Sequence, residues 1–195
     1  MRIISGDLKG RKLKSVGKLK IRPPLDKVKQ AIFDILKNDI VDKGVLDLFA
    51  GSGSLGIEAV SRGAKKVIFV ESSFKNQKLL KENINMLNLG DKVEVILANV
   101  SKFLDILYEK KLQFDLIFVD PPFLKNWAQK ILDKIEQYQI LKPEGIVVLR
   151  HHKKEIPETS ILCLIKQRKF GDNLVSFYIF PPEADPPSAE RQEKR

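Results

Sequence analysis

Residues 47–56 read DLFAGSGSLG: an acid near the end of an apolar run, then Gly51, Gly53 and Gly56 at the G-x-G-x-x-G spacing. GVLDLF (44–49) before them has the character of a short strand. SLGIEAVSRG (54–63) after them is an amphipathic helix closed by Gly63. The glycines therefore join a strand to a helix, and KKVIFVE (65–71) is a second strand ending on an acid, Glu71. Dinucleotides and S-adenosylmethionine both use this arrangement, because each lays a ribose against the acid at the end of the second strand.

Moving outward, the same alternation continues. SSFKNQKLLKENINMLNLG (72–90) reads as a helix with Ser72 or Ser73 as N-cap and Gly90 as its stop. DKVEVILAN (91–99) is a strand, SKFLDILYEK (101–110) a helix, QFDLIFVD (113–120) a strand and LKNWAQKILDKIEQYQIL (124–141) a helix. A KPEG turn (142–145) leads into IVVLR (146–150) as the fifth strand. Strands alternating with helices imply a Rossmann-like α/β fold with a mostly parallel sheet and helices on both faces. TSILCLIKQRKF (159–170) and LVSFYIF (174–180) flank GDN and read as an antiparallel hairpin at the sheet edge. Ahead of the glycine loop, LDKVKQAIFDILKNDI (25–40) is an amphipathic helix with Asp26 near its start. The organisation expected is a basic segment over residues 1–24, a Rossmann-like α/β domain over 25–180 and a disordered tail, PPEADPPSAERQEKR, over 181–195.

The chain has 195 residues and 43% hydrophobic content, enough for one core of ordinary size. No apolar stretch approaches the about eighteen residues of a membrane span, and no leader pattern opens the chain, so a cytoplasmic location without membrane contact is expected. Cys163 is the only cysteine, and its apolar flanks, SILCLIKQ, suggest a buried packing residue. No metal site is expected.

Of the net charge of +10, +8 lies in residues 1–30, where ten Lys or Arg stand against two Asp. Cations concentrated at one end gain affinity for a polyanion by releasing its counterions. Arg2, Arg11, Lys12, Lys14, Arg22 and Lys27 are the candidate RNA contacts. The bland alternative is a solvated charged surface.

Asp47 discriminates between the two ligands. A carboxylate beside the glycine loop would repel a pyrophosphate, but would attract the ammonium and sulfonium of S-adenosylmethionine. Asp47 could equally be a helix-capping acid and Glu71 a surface charge; together around this loop they favour S-adenosylmethionine. At the end of the fourth strand, Asp120-Pro121-Pro122-Phe123 is a stiff wall of acceptors, since each proline fixes its own φ and restricts the residue before it. The Asp120 carboxylate and Pro121 carbonyl could accept both hydrogens of an exocyclic amine while Phe123 stacks on the base. A strand-ending turn is the alternative for that motif.

Four runs, MRIISGDLKGRKL, RPPLDKVKQAIFDIL, VLDLFAGSGSLGIEAVSRGA and FDLIFVDPPF, resemble in this order the RsmD-like family of small-subunit ribosomal RNA guanine-N2 methyltransferases, over nearly the whole chain to about residue 180. The resemblance implies a seven-stranded class I fold with an antiparallel C-terminal hairpin, S-adenosylmethionine as cofactor, and one guanine of 16S rRNA in an assembled or assembling small subunit as substrate, modified by a monomer. It implies cofactor contacts from Asp47, Phe49, Gly51, Gly53, Glu71 and, at the adenine, Asn99, with Asp120, Pro121, Pro122 and Phe123 as the catalytic motif. Two departures stand out. Pro24 and Leu25 replace hydroxyl residues usual in the family, and RHHKK (150–154) follows the fifth strand in place of a common acid. His151 and His152 are expected to be exposed. Residue chemistry alone leaves adenine-N6 or cytosine-N4 methylation open; an NAD-dependent oxidoreductase and a non-catalytic rRNA-binding protein fit less well.

Overall fold

In the computed structural model the described residues are 1–15, 25–37 and 39–181. Arg22, Pro23 and Pro24 and the tail from residue 182 onward lie outside them. Helix α1 spans Leu25–Leu36 and precedes strand β1, Gly44–Leu48. Then follow α2 (Ser54–Ser61), β2 (Lys66–Glu71), α3 (Phe74–Met86), β3 (Val93–Leu97), α4 (Val100–Glu109), β4 (Phe114–Val119), α5 (Trp127–Tyr138) and β5 (Leu141–His152). β6 (Cys163–Phe170) and β7 (Asn173–Ile179) complete one sheet in the order β3-β2-β1-β4-β5-β7-β6. β1 to β5 pair in parallel, while β7 runs antiparallel to both β5 and β6. The order reverses between β1 and β4, the place where α/β sheets open a crevice beyond their strand ends.

Alternation along each strand feeds two cores. On one face Val45, Phe69, Leu116 and Phe118 meet Ile32 and Phe33 of α1, Ile57 of α2 and Leu80 of α3. On the other, Leu46, Leu48, Ile117 and Val119 meet Leu104 of α4 and Ile131 and Ile135 of α5.

The basic N-terminal segment is docked on the first of these cores. Ile3 and Leu13 are buried in it, and an Arg2–Lys12 bridge folds the segment into a small hairpin. Glu58 of α2 accepts the Ile4 and Ser5 amides at 2.8 and 2.9 Å and pairs with Lys29 of α1 at 3.1 Å. Lys29, one of the ten cations of the basic region, is thus a buried fastener rather than a phosphate contact. Gly6 has φ +79, and a Cβ there would lie 1.7 Å from the Ser61 carbonyl oxygen, so the hairpin can approach α2 only at a glycine.

Four expectations are corrected. The KPEG stretch is not a turn before β5 but lies inside it: Phe114 pairs with Leu141 and Leu116 with Ile146, so the extra residues bulge out of a continuing strand. α3 ends at Met86 rather than at Gly90, because Asn88 at φ 55 takes the left-handed position. Cys163 is exposed, since it begins β6, the strand at the edge of the sheet. His151 is buried; its surroundings are described below.

Candidate active site

The glycine loop between β1 and α2 is held in the left-handed region at three positions: Phe49, Gly51 and Gly53 have φ 60, 57 and 81. A Cβ at Gly51 would meet only the Phe49 carbonyl oxygen at 3.9 Å, so only the backbone angle calls for glycine there. Gly56 has a packing reason. A Cβ at that position would sit 2.3 Å from the buried Phe69 ring, so the third glycine lets α2 lie directly on β2. Gly53, the N-cap of α2, has no side chain to cap the helix, and Asp47 supplies one from β1: its Oδ2 accepts the Gly56 amide at 2.9 Å. The capping role considered for Asp47 is therefore real, and it coexists with a place in the cavity wall.

Glu71 ties two elements together. Its Oε2 accepts the Gly51 amide at 2.8 Å and its Oε1 the Ser73 amide at 2.7 Å, fixing the loop to the start of α3, where Ser73 is the N-cap. Asp47, Phe49, Gly51, Glu71, Asp120, Pro121 and Pro122 all line one cavity of about 560 Å³ at the β1/β4 switch, a size suited to a small-molecule ligand. Met1 and Ser15 of the N-terminal hairpin form part of its wall. Burial raises the Asp47 carboxyl to about 7, opposed by the Gly56 hydrogen bond and reinforced by the charges of Asp120 and Glu71. A cavity walled by three carboxylates fits a cationic ligand and opposes a pyrophosphate. Those acceptors match the ammonium, sulfonium and ribose hydroxyls of S-adenosylmethionine.

Asp120 follows β4 directly and is paired. Arg150, in β5, donates from Nη1 to Asp120 Oδ2 at 2.9 Å, with the Arg150 side chain only 7% exposed. Its guanidinium carbon lies 5.2 Å from the Phe123 ring centre. Phe123 is half-buried and its ring centre is 6.3 Å from that of His152, but it does not line the cavity itself; it stands beyond Pro121 and Pro122. Sequence reading missed Arg150. The signal was available in the register: Val119 pairs with Leu149, so the next residues, Asp120 and Arg150, emerge side by side from adjacent parallel strands.

Other expected residues lie elsewhere. Asn99 is exposed and caps α4, accepting the Lys102 amide at 3.3 Å, and it is not in the cavity wall. Arg2, Arg11, Lys12, Lys14 and Lys27 are all exposed. Lys14 pairs with Glu82 at 2.9 Å and Arg2 reaches Asp26 at 4.0 Å, whereas Lys12 and Lys27 form no ion pair among the described residues. His151 is held between Ser176 Oγ at 2.9 Å and the Glu155 carbonyl at 3.0 Å, and burial lowers its pKa. It is a structural residue of the β5–β7 pair. No cluster of metal-ligating side chains and no helix long and apolar enough to cross a membrane occurs among the described residues.

The family model described as Conserved hypothetical protein 95 matches residues 1–179. The chain belongs to this family. The resemblance to the RsmD-like enzymes read from four motifs is thereby confirmed. Among the chain's relatives, the Ribosomal RNA small subunit methyltransferase D of Haemophilus influenzae is 35% identical over 183 residues, covering 92% of this chain and 93% of that protein. The solved structure of hypothetical protein TTHA0928 from Thermus thermophilus superposes with a TM-score of 0.78 at 28% identity, covering 92% of this chain and 99% of that one. The SAM-dependent methyltransferase from Agrobacterium tumefaciens, at 18% identity and a TM-score of 0.60 over 82% of this chain and 63% of that one, shares the fold. The chain is thus a methyltransferase with the class I seven-stranded architecture.

Proposed function

We propose that this chain transfers a methyl group from S-adenosylmethionine to the exocyclic N2 amine of a guanine in small-subunit ribosomal RNA. The observation that carries the reading is the convergence of Asp47, Glu71 and Asp120-Pro121-Pro122 on one cavity at the sheet's switch point. When bound, S-adenosylmethionine supplies an electrophilic methyl on a sulfonium. Asp47 and Glu71 hold its charged and ribose portions, by ion attraction and hydrogen bonding respectively. The Asp120 carboxylate and the Pro121 carbonyl accept the two amine hydrogens, which turns the nitrogen towards the cavity and favours the positive charge that grows on it during attack. Asp120 is also placed to receive the proton released as the amine becomes the methylamine. Phe123, outside the cavity, is the ring against which an unstacked base would stack.

The guanine assignment rests on family membership. The partner is 16S rRNA within an assembled or assembling small subunit, met in the cytoplasm by a monomer, and the exposed cations Arg2, Arg11, Lys12, Lys14 and Lys27 grip its phosphates. Methyl transfer to small-subunit particles from a strain lacking the activity, followed by nucleoside mass spectrometry, tests the reading. N2-methylguanosine is the expected product. N6-methyladenosine or N4-methylcytidine would move the target to another amine, and no methylation of RNA would overturn the reading.

A further inference from the structure

Arg150 is, among the described residues, the one basic side chain in the wall of a cavity that also holds three acids. It comes from β5, Asp120 from the end of β4, and strand register sets the two side by side. One end of the guanidinium meets the Asp120 carboxylate at 2.9 Å, and its carbon lies 5.2 Å from the centre of the Phe123 ring. The Nε is buried with no hydrogen-bond partner among the described residues. Burying a guanidinium with an orphaned N–H costs stability, so this placement is a poor stabilising device. What it does achieve is to couple the two residues that the proposed reaction asks to act together, the amine acceptor and the base platform.

We propose that Arg150 is a positioning residue that fixes the plane of the Asp120 carboxylate and the tilt of the Phe123 ring, so that base capture and amine orientation occur in one prearranged geometry. The inference rests on the methyltransferase reading above. A charged fork pinned to one carboxylate oxygen restricts the carboxylate's orientation, and a cation against a ring face sets the ring's attitude. Positioning of this kind acts on the chemical step rather than on cofactor affinity. It also acts on charge. Among the described residues, the cavity wall that Asp120 shares carries Asp47 from β1, Glu71 from β2, Arg150 from β5 and Met1 from the N-terminal hairpin, and His152 of β5 lies against Phe123. Without Arg150, Asp120 loses the guanidinium paired with it at 2.9 Å, and a carboxylate deprived of a neighbouring cation holds its proton to higher pH.

The test uses the full-length protein with small-subunit particles and compares Arg150→Met and Arg150→Lys with wild type. Arg150→Met is expected to lower kcat by about tenfold to a hundredfold, the scale of a misplaced reacting group. Its affinity for S-adenosylhomocysteine should stay close to wild type. The acidic limb of its kcat–pH profile should move up by about one unit, because Asp120 loses the cation paired with it. Arg150→Lys restores the charge without the fork, so it should return the limb towards its wild-type place while recovering only part of kcat. An Arg150→Met protein with wild-type kcat and an unmoved limb overturns the proposal. So does equal loss in both variants with no change in either limb, the signature of a merely structural residue. A wild-type protein that transfers no methyl to the particle fails earlier, at the reading itself, and takes the proposal with it.

Discussion

Asp47 and Gly56 are joined by a 2.9 Å hydrogen bond from the helix amide to a carboxylate only 2% exposed. A single side chain thus caps α2 and presents a carboxyl raised to about 7 to the cavity. An unfolded Asp releases its proton near pH 3.9, so between about pH 4 and about pH 7 the folded chain holds a proton that the unfolded chain has lost. The stability this group contributes is complete below that window and is lost as pH rises through it, by something on the order of 4 kcal/mol. Denaturant midpoints across the window should fall with pH in wild type, and fall less in Asp47→Asn, which keeps an acceptor for the cap. Affinity for the cationic cofactor should strengthen as pH rises to about 7 and Asp47 ionises. Below that pH, calorimetry in buffers of different ionisation enthalpy should register about one proton released on binding. Flat affinity across that range would separate Asp47 from cofactor binding.

Replacing Asp120 has two consequences, which the pairing with Arg150 allows to be separated. Asp120→Ala removes the amine acceptor and strands a buried guanidinium, so it should lower stability by about 1–3 kcal/mol as well as cutting the rate by about a hundredfold. Asp120→Asn keeps a carbonyl acceptor for Arg150 and should show most of the rate loss with less of the stability loss. Methylation assays beside thermal midpoints distinguish the two. A wild-type rate in either variant would return the motif to a strand-ending turn.

Phe123→Ala should weaken engagement of the particle by about 1–3 kcal/mol, the cost of one lost base stack, with cofactor affinity unaltered. Phe123→Tyr preserves the ring face and should retain much of the activity. If Phe123→Ala raises neither KM nor the dissociation constant for the particle, the base rests somewhere else.

The cations of the N-terminal hairpin are not equivalent. Lys12 forms no ion pair among the described residues, whereas Lys14 is engaged by Glu82 at 2.9 Å. Neutralising Lys12 should therefore reduce the salt slope of RNA binding by about one unit, and neutralising Lys14 by less. A slope that stays constant in both would make the hairpin a solubilising surface only.

Gly6→Ala tests whether the hairpin must be docked to work. The new Cβ would collide with the Ser61 carbonyl oxygen at 1.7 Å, so the segment must lift from α2. RNA affinity should drop while the α/β core, followed by near-ultraviolet circular dichroism, keeps its signature. Undiminished affinity would mean that the cations act from a loose tether.

The parallel part of the sheet was legible because each strand–helix unit carries its own change of period, and DPPF was legible because consecutive prolines are informative wherever they occur. What failed depended on the layers around an element. SILCLIKQ has the same pattern whether a strand is central or at an edge, and β6 is the edge, so Cys163 is exposed. RHHKK looks like surface, yet β5 lies between β4 and β7, and that position buries Arg150 and His151. The KPEG bulge was hidden because proline and glycine mark a turn and an irregular strand alike. Asn99, matched from the family pattern, caps α4 and stands outside the cavity wall. Arg22 and the tail lie outside the described residues.

Met1 and Ser15, at the two ends of the basic hairpin, belong to the wall of the cavity proposed to hold the cofactor. Whatever steadies that hairpin therefore also steadies one side of that cavity, and on the proposed reading one side of the cofactor's exit. Turnover should acquire an order: with particle bound, spent S-adenosylhomocysteine is expected to dissociate more slowly than from the free protein, so that each encounter delivers one methyl group before the complex separates. Stopped-flow release of S-adenosylhomocysteine with and without saturating particle measures this directly, and equal rates would show that the shared wall imposes no sequence on the departures.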